Sequence, residues 1–216
     1  MKKTCILLAL CFAILMSGCT KIFLYSYGVR NPKIENKKSV TAYLQNKKLK
    51  TENTFALSDI ATLSKFNQSN IGMPEIRFYD TNGYLMLYRD NKKCNAQNDS
   101  LISFLDPTNV IQIDSTNNIL DYLKQLKTLD GKNLDLADFK HYDFYLVMYW
   151  AKWIGKVNTV KMLDWEKSLS YKADLKLKTI KVTTDYMDFW HINKKDMAKV
   201  YSFKTKIGDK KKERTQ

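Results

Sequence analysis

Histidine, glycine and acidic residues are scarce in this chain, and each scarcity removes a class of chemistry. The two histidines, His141 and His191, are far apart in sequence, and neither has a cysteine or carboxylate beside it at ligand spacing. No metal site is therefore expected, and each histidine reads as a satisfied surface or core residue. The seven glycines form no phosphate-cradling loop and no nucleophile elbow around a serine, and a zinc-protease helix motif is missing as well. No cofactor is expected. Asp135 and Asp138, on one short segment, and Asp143 are the carboxylates left for acid-base work; without a pocket they serve as caps and solvated loops. With 216 residues and 44% hydrophobic composition, the chain can bury one substantial core without requiring two domains.

What is present begins at the N-terminus. Met1-Lys2-Lys3 is basic, Thr4 to Met16 is almost wholly apolar, and the small residues Ser17-Gly18 precede Cys19. The apolar run is too short to span a membrane comfortably and has the three-part layout of a secretory signal. Met16-Ser17-Gly18-Cys19 resembles the bacterial lipobox, with Met16 where leucine is more usual. The resemblance implies cleavage before Cys19, a diacylglyceryl group on its sulfur and an acylated new N-terminus. Several acyl chains, each methylene burying about 0.8 kcal/mol, hold a protein on a membrane essentially permanently. Thr20 stands where an aspartate retains some lipoproteins in the inner membrane, and Lys21-Ile22-Phe23-Leu24 lacks an acidic export cluster. The resemblance thus implies a lipid-anchored protein of the cell envelope, at the outer membrane and facing the periplasm. Residues 1–18 read as a signal peptide, 19–36 as a tether, 37–203 as the domain and 204–216 as a disordered basic tail.

Processing would change both the cysteine count and the charge. Cys5 and Cys11 leave with the signal and Cys19 carries lipid, so Cys94 is the one remaining thiol and no internal disulfide can form. Lys92 and Lys93 beside Cys94 would favour its thiolate if it is exposed, which makes it a candidate reactive thiol; the alternative is a tolerated, partly buried cysteine. Loss of Lys2 and Lys3 lowers the formal charge from +14 to +12. Such a field suits anionic lipid, lipopolysaccharide phosphates or an acidic envelope protein, and it also simply keeps a tethered domain soluble. Nucleic acid is not expected as a partner outside the cytoplasm, and no aromatic-basic motif of a nucleic-acid module occurs.

Phe144 to Trp150 is an unbroken apolar and aromatic run, the pattern of a central strand covered on both faces. It continues as Trp150-Ala151-Lys152-Trp153-Ile154-Gly155-Lys156-Val157, which resembles the thioredoxin-family segment Trp-Ala-x-Trp-Cys-Gly-Pro-Cys. Trp150, Ala151, Trp153 and Gly155 match. The two cysteine positions hold Ile154 and Val157, the proline is Lys156, and the family's buried aspartate falls on Met148. Thiol-disulfide exchange needs a thiolate and a resolving thiol, so the resemblance implies the fold without the reaction. Upstream, Gly72-Met73-Pro74 followed by strands on either side of Asn82-Gly83 resembles the family's cis-proline loop and the hairpin after it, although Pro74 can begin a strand without a cis bond. The family's second half (about residues 53–106) would then precede its first (about 109–183), so the resemblance implies an α/β fold, a thioredoxin-like mixed sheet flanked by helices, that is either circularly permuted or built from two partial copies sharing a core.

Local signals fill in the elements. Asn36-Lys37-Lys38-Ser39 opens a helix with Val40, Tyr43 and Leu44 on one face; Thr54 to Leu57 reads as a strand; Ser58 or Asp59 caps a helix carrying Ile60, Leu63 and Phe66. Asp99 or Ser100 caps a helix ended by Pro107, Val110 to Ile113 is a strand, and Asn117 to Leu129 a helix. Asn158 is a plausible N-cap for a helix bearing Met162, Trp165 and Leu169, and Leu175 to Thr183 reads as a strand with a bulge or a late start. Tyr186, Met187, Phe189, Trp190 and Ile192 either extend the core or form an exposed patch.

The expected function is that of a membrane-anchored, redox-inactive binding or scaffolding module. Its candidate partner groove is Trp153, Ile154, Gly155 and Lys156 facing Met73 and Pro74, with Tyr149 as a further anchor. Trp150 and Trp153 can equally be core or rim packing. The alternative is a one-cysteine thiol redox enzyme using Cys94.

Overall fold

A computed structural model describes residues 25–69, 73–88, 101–103, 105–108 and 111–192. The fold is α/β: a seven-stranded mixed sheet with helices on both faces. The strands are β2 (Thr54–Leu57), β3 (Glu75–Tyr79), β4 (Tyr84–Met86), β5 (Ile113–Asn118), β6 (Leu126–Thr128), β7 (Phe144–Trp150) and β8 (Leu177–Thr183), in the spatial order β5-β4-β3-β7-β8-β2-β6. A separate parallel pair joins β1 (Ile34–Glu35) to β9 (Tyr186–Met187). The helices are α1 (Lys37–Asn46), α2 (Ile60–Gln68), α3 (Ile119–Leu123) and α4 (Lys156–Ser170). Among the described residues no helix is long and apolar enough to cross a membrane.

The seven residues of β7 are all buried, which explains why its sequence does not alternate. Tyr145, Val147 and Tyr149 face one cluster with Leu57, Leu63, Tyr79, Ile180 and Val182, covered by α2 and α3. Leu146 and Met148 face the other side, where Trp165 and Leu169 of α4 close over them together with Leu101, Ile102 and Leu105. Met162 of α4 continues that layer towards Trp150, Val40 and Leu44. Trp165 is fully buried, and enclosing such a side chain contributes about 1.5–3 kcal/mol before cavity terms.

On one flank of β7 lies antiparallel β3, with Glu75 opposite Tyr149; on the other lies parallel β8, with Trp150 opposite Thr183. β8 pairs in parallel with β2, and β3 antiparallel with β4. This is consistent with a thioredoxin-like sheet whose chain order is permuted, the proline hairpin preceding the central strand. The Met73–Pro74 peptide is cis.

Several elements differ from their sequence reading. In the hairpin only Gly83 adopts positive φ, because the Asp80 side chain accepts bonds from the Asn82 and Tyr84 amides and shapes the turn. The strand expected at Val110–Ile113 begins at Ile113 and runs through polar residues to Asn118; as the outer edge of the sheet it has little apolar surface to bury. The helix expected over Asn117–Leu129 stops at Leu123, and Leu126 to Thr128 becomes β6, the edge partner of β2. Leu123 and Leu126 sit three residues apart, which suits a helix as well as it suits this turn into a strand. β8 starts late, at Leu177, and Tyr186 and Met187 belong to the core. Of the helix expected after Asp99, residues 101–103 are helical; the remainder lies largely outside the described residues.

Candidate functional site

β7 ends at Trp150, and the chain turns through Ala151 and a single 3-10 turn, Lys152–Ile154, into α4. Gly155 joins the turn to the helix with φ 72° and ψ −133°, a conformation open in practice only to glycine. Asn158 is not the helix cap its position suggested. It is fully buried in the first turn of α4, and its Nδ2 donates to the Ala151 carbonyl, tying the helix to the end of the strand. The register of β3 against β7 places Pro74 beside the end of β7, so the cis peptide and the 152–155 turn are brought to the same end of the sheet.

The region expected as a tether is fixed to this turn from Tyr25 onward. The Arg30 amide donates to the Trp153 carbonyl at 2.7 Å, and the Lys156 amide donates to the Tyr27 carbonyl at 2.8 Å. Gly28 and Gly155 meet back to back: a Cβ built on Gly155 would lie 2.7 Å from the Tyr27 oxygen and closer still to the Gly28 carbonyl. Immediately after Lys33 the strap becomes β1 against β9, and Asn36 caps α1 through a reciprocal pair of bonds with Ser39. The N-terminal strap is therefore part of the domain.

Where the strap passes into β1 lies a polar cluster, half-buried at Lys152 and Glu35 and buried at Asp185, that the sequence did not signal. Lys152 Nζ pairs with Glu35 and also donates to the Ser39 carbonyl at 3.3 Å, while Ser39 Oγ donates to Glu35 Oε2 at 2.6 Å. Asp185, almost fully buried, accepts at Oδ2 from the Lys152 amide at 2.8 Å and the Thr183 hydroxyl at 2.7 Å. Its Oδ1 has no hydrogen-bond partner among the described residues. Burial raises the Asp185 carboxyl to about 6 despite these two donors, with the Glu35 charge adding to the rise. Tyr43 stacks on Trp150 at 5.7 Å between ring centroids, and its hydroxyl shares a 3.1 Å bond with Thr159. Burial raises the Tyr43 hydroxyl as well.

The predicted site residues divide by accessibility. Trp153 and Met73 are half-buried and Lys156 is exposed, whereas Ile154 and Pro74 are buried and support the turn from within. Tyr149, expected as an anchor for a partner, is fully buried under Phe66 of α2, at 4.7 Å between centroids, with Arg77 over its ring at 5.3 Å. Its position on the inward face of a strand covered on both sides excludes it from any surface. Cys19 and Cys94 lie outside the described residues, as does Gly72. Gly28, Glu35 and Asp185 went unread because the partners that draw them to this turn, Gly155 and Lys152, are more than thirty residues away in sequence; a glycine in the strap was the one local hint.

Asp135 and Asp138 do line a cavity, of about 410 Å³, together with Phe55, Phe139, Tyr142 and Lys178. Its walls come from the segments at the starts of the parallel strands β2, β7 and β8, so it opens at the end of the sheet opposite the Gly155 turn. Lys178 Nζ already sits over Phe139 and Tyr142, at 4.7 and 5.3 Å, and Asp135 caps the short turn after it by accepting from the Ala137 amide. A neighbouring cavity of about 250 Å³ contains the pair Lys181–Glu166, 3.0 Å apart; burial lowers the Lys181 ammonium in spite of its partner. No protein-family profile, curated protein or solved structure matches this chain.

Proposed function

We propose that this protein is a lipid-anchored envelope lipoprotein whose domain is a redox-inactive, thioredoxin-like binding or scaffolding module. The observation that carries the reading is the turn at residues 151–156. It keeps the geometry of a strand ending beside a cis-proline, yet carries Ile154 and Val157 at the two thiol positions and is bolted to the chain's own N-terminal strap. A reactive turn must be reached by substrate and must present a thiolate; this one presents Trp153, Met73 and Lys156, side chains suited to contact. The lipobox-like Met16-Ser17-Gly18-Cys19 supplies the anchor, and Thr20 favours the outer membrane with the domain in the periplasm.

Cross-linking in intact cells tests the reading, with wild type compared against a Trp153→Ala, Lys156→Glu variant. Each anchor in such a contact contributes on the order of 1–3 kcal/mol. The expected result is a specific envelope protein captured by wild type and lost in the variant. Equal capture by a folded variant would remove the 151–156 turn as the binding site. Rapid alkylation of Cys94 in the folded protein at neutral pH would instead favour a one-cysteine redox enzyme.

A further inference from the structure

Tyr25, Tyr27, Val157 and Val160 are large apolar side chains left exposed at one end of the molecule, Tyr25 at 65% and Val160 at 57%. The Tyr27 carbonyl receives the Lys156 amide, so the strap tyrosines adjoin the first turn of α4, and Val157 and Val160 share that helix's outer face by their spacing of three. Segments 25–33 and 156–161 contain no acidic residue and carry Arg30, Lys33, Lys156 and Lys161. Amphipathic aromatics beside aliphatics and cations are the composition that settles at a membrane interface. The Arg30 guanidinium already lies over the Tyr25 ring, 3.7 Å from its centroid.

Resting on the anchored reading above, we propose that this face lies on the anionic lipid surface that holds Cys19. The length of chain decides it. Cys19 and Tyr25 are six residues apart, which is at most on the order of 20 Å when fully extended. A domain of about 160 residues is about 40 Å across. The connection is shorter than the domain is wide, and the strap it feeds is bonded to Trp153 and Lys156. The end carrying Gly155 is thus held at the bilayer with Tyr25, Tyr27, Val157 and Val160 towards lipid, so that a partner reaching Trp153 and Met73 is one lying in the same membrane, and the cavity of Asp135 and Asp138 faces away from it.

The test uses the full acylated chain with Cys94→Ser, reconstituted into vesicles of phosphatidylethanolamine and phosphatidylglycerol. An environment-sensitive fluorophore is attached at Val160→Cys or, at the far end, at Asn133→Cys. The label at position 160 is expected to shift to shorter wavelength and to be quenched by a lipid-borne quencher, and the label at 133 to remain as in water. Adding Val157→Asp should reduce the shift at 160. A label at 160 that stays aqueous while the protein floats with the vesicles overturns the proposal and leaves the anchor standing. Protein that does not float overturns the anchor and the proposal with it.

Discussion

Replacing Gly155 by alanine should release the N-terminal strap while sparing most of the domain. A Cβ at this position would lie 2.7 Å from the Tyr27 oxygen, with the Gly28 carbonyl nearer still, and these are backbone atoms that no rotamer change can move. The φ of 72° with ψ −133° adds about 1–3 kcal/mol for a residue with a side chain. Displacing the strap then forfeits the bonds of the Arg30 and Lys156 amides, each contributing about 1 kcal/mol. Together the docking equilibrium should weaken by about 3–5 kcal/mol, roughly two to four orders of magnitude. Hydrogen exchange at the Arg30 and Lys156 amides reads this directly, and proteolysis between Tyr25 and Lys33 should accelerate in parallel. Gly28→Ala is the contrast: its Cβ would find the Gly155 Cα and the Lys156 nitrogen at 3.5 Å, ordinary contact, leaving mainly the cost of φ 79°. Unchanged amide protection in Gly155→Ala would refute the packing argument.

Three other outcomes follow from the buried polar groups and caps. Asp185 is raised in the folded state to about 6 from an ordinary 3.8, so the folded protein holds its proton more tightly and stability should fall as pH rises from about 4 to 6, by about 3 kcal/mol in all; Asp185→Asn should flatten that dependence in urea titrations. Glu166→Ala strands the Lys181 ammonium, 3% exposed, and should cost about 3–5 kcal/mol, while Glu166→Leu with Lys181→Met should recover most of it, measured as a shift in denaturation midpoint at unchanged slope. Asp59→Ala removes the bond its Oδ1 accepts from the Thr62 amide at 2.7 Å and should lower the thermal midpoint by the equivalent of about 1 kcal/mol.

Legibility followed the range of the interaction. β7 was readable because seven buried residues on a doubly covered strand leave an unbroken apolar run, and α1 and α2 because Asn36 and Asp59 are local caps followed by apolar residues at helical spacing. The edge strand β5 is hard to place because a strand with little apolar surface to bury has no alternation to detect, and β6 reads as helix because Leu126 follows Leu123 at the three-residue spacing of a helix face. At the site, the sequence identified the 150–157 turn and its missing thiols, and the placement of Pro74 beside it. It could not show that Tyr149 points inward under Phe66, since alternation on a wholly apolar strand carries no sign of which face is which. Nor could it show that the strap closes on Gly155 or that Glu35, Lys152 and Asp185 converge where it passes into β1, because those contacts depend on the parallel pairing of β1 with β9.

The mass of the mature, membrane-extracted protein tests the anchored module most directly. The expected chain begins at Cys19 and carries a diacylglyceryl group and an N-acyl chain; in Cys19→Ser the cleavage before residue 19, both lipid groups and retention in the membrane fraction are lost. A mature protein that retains residues 1–18, or that begins elsewhere with an unmodified Cys19, would contradict it.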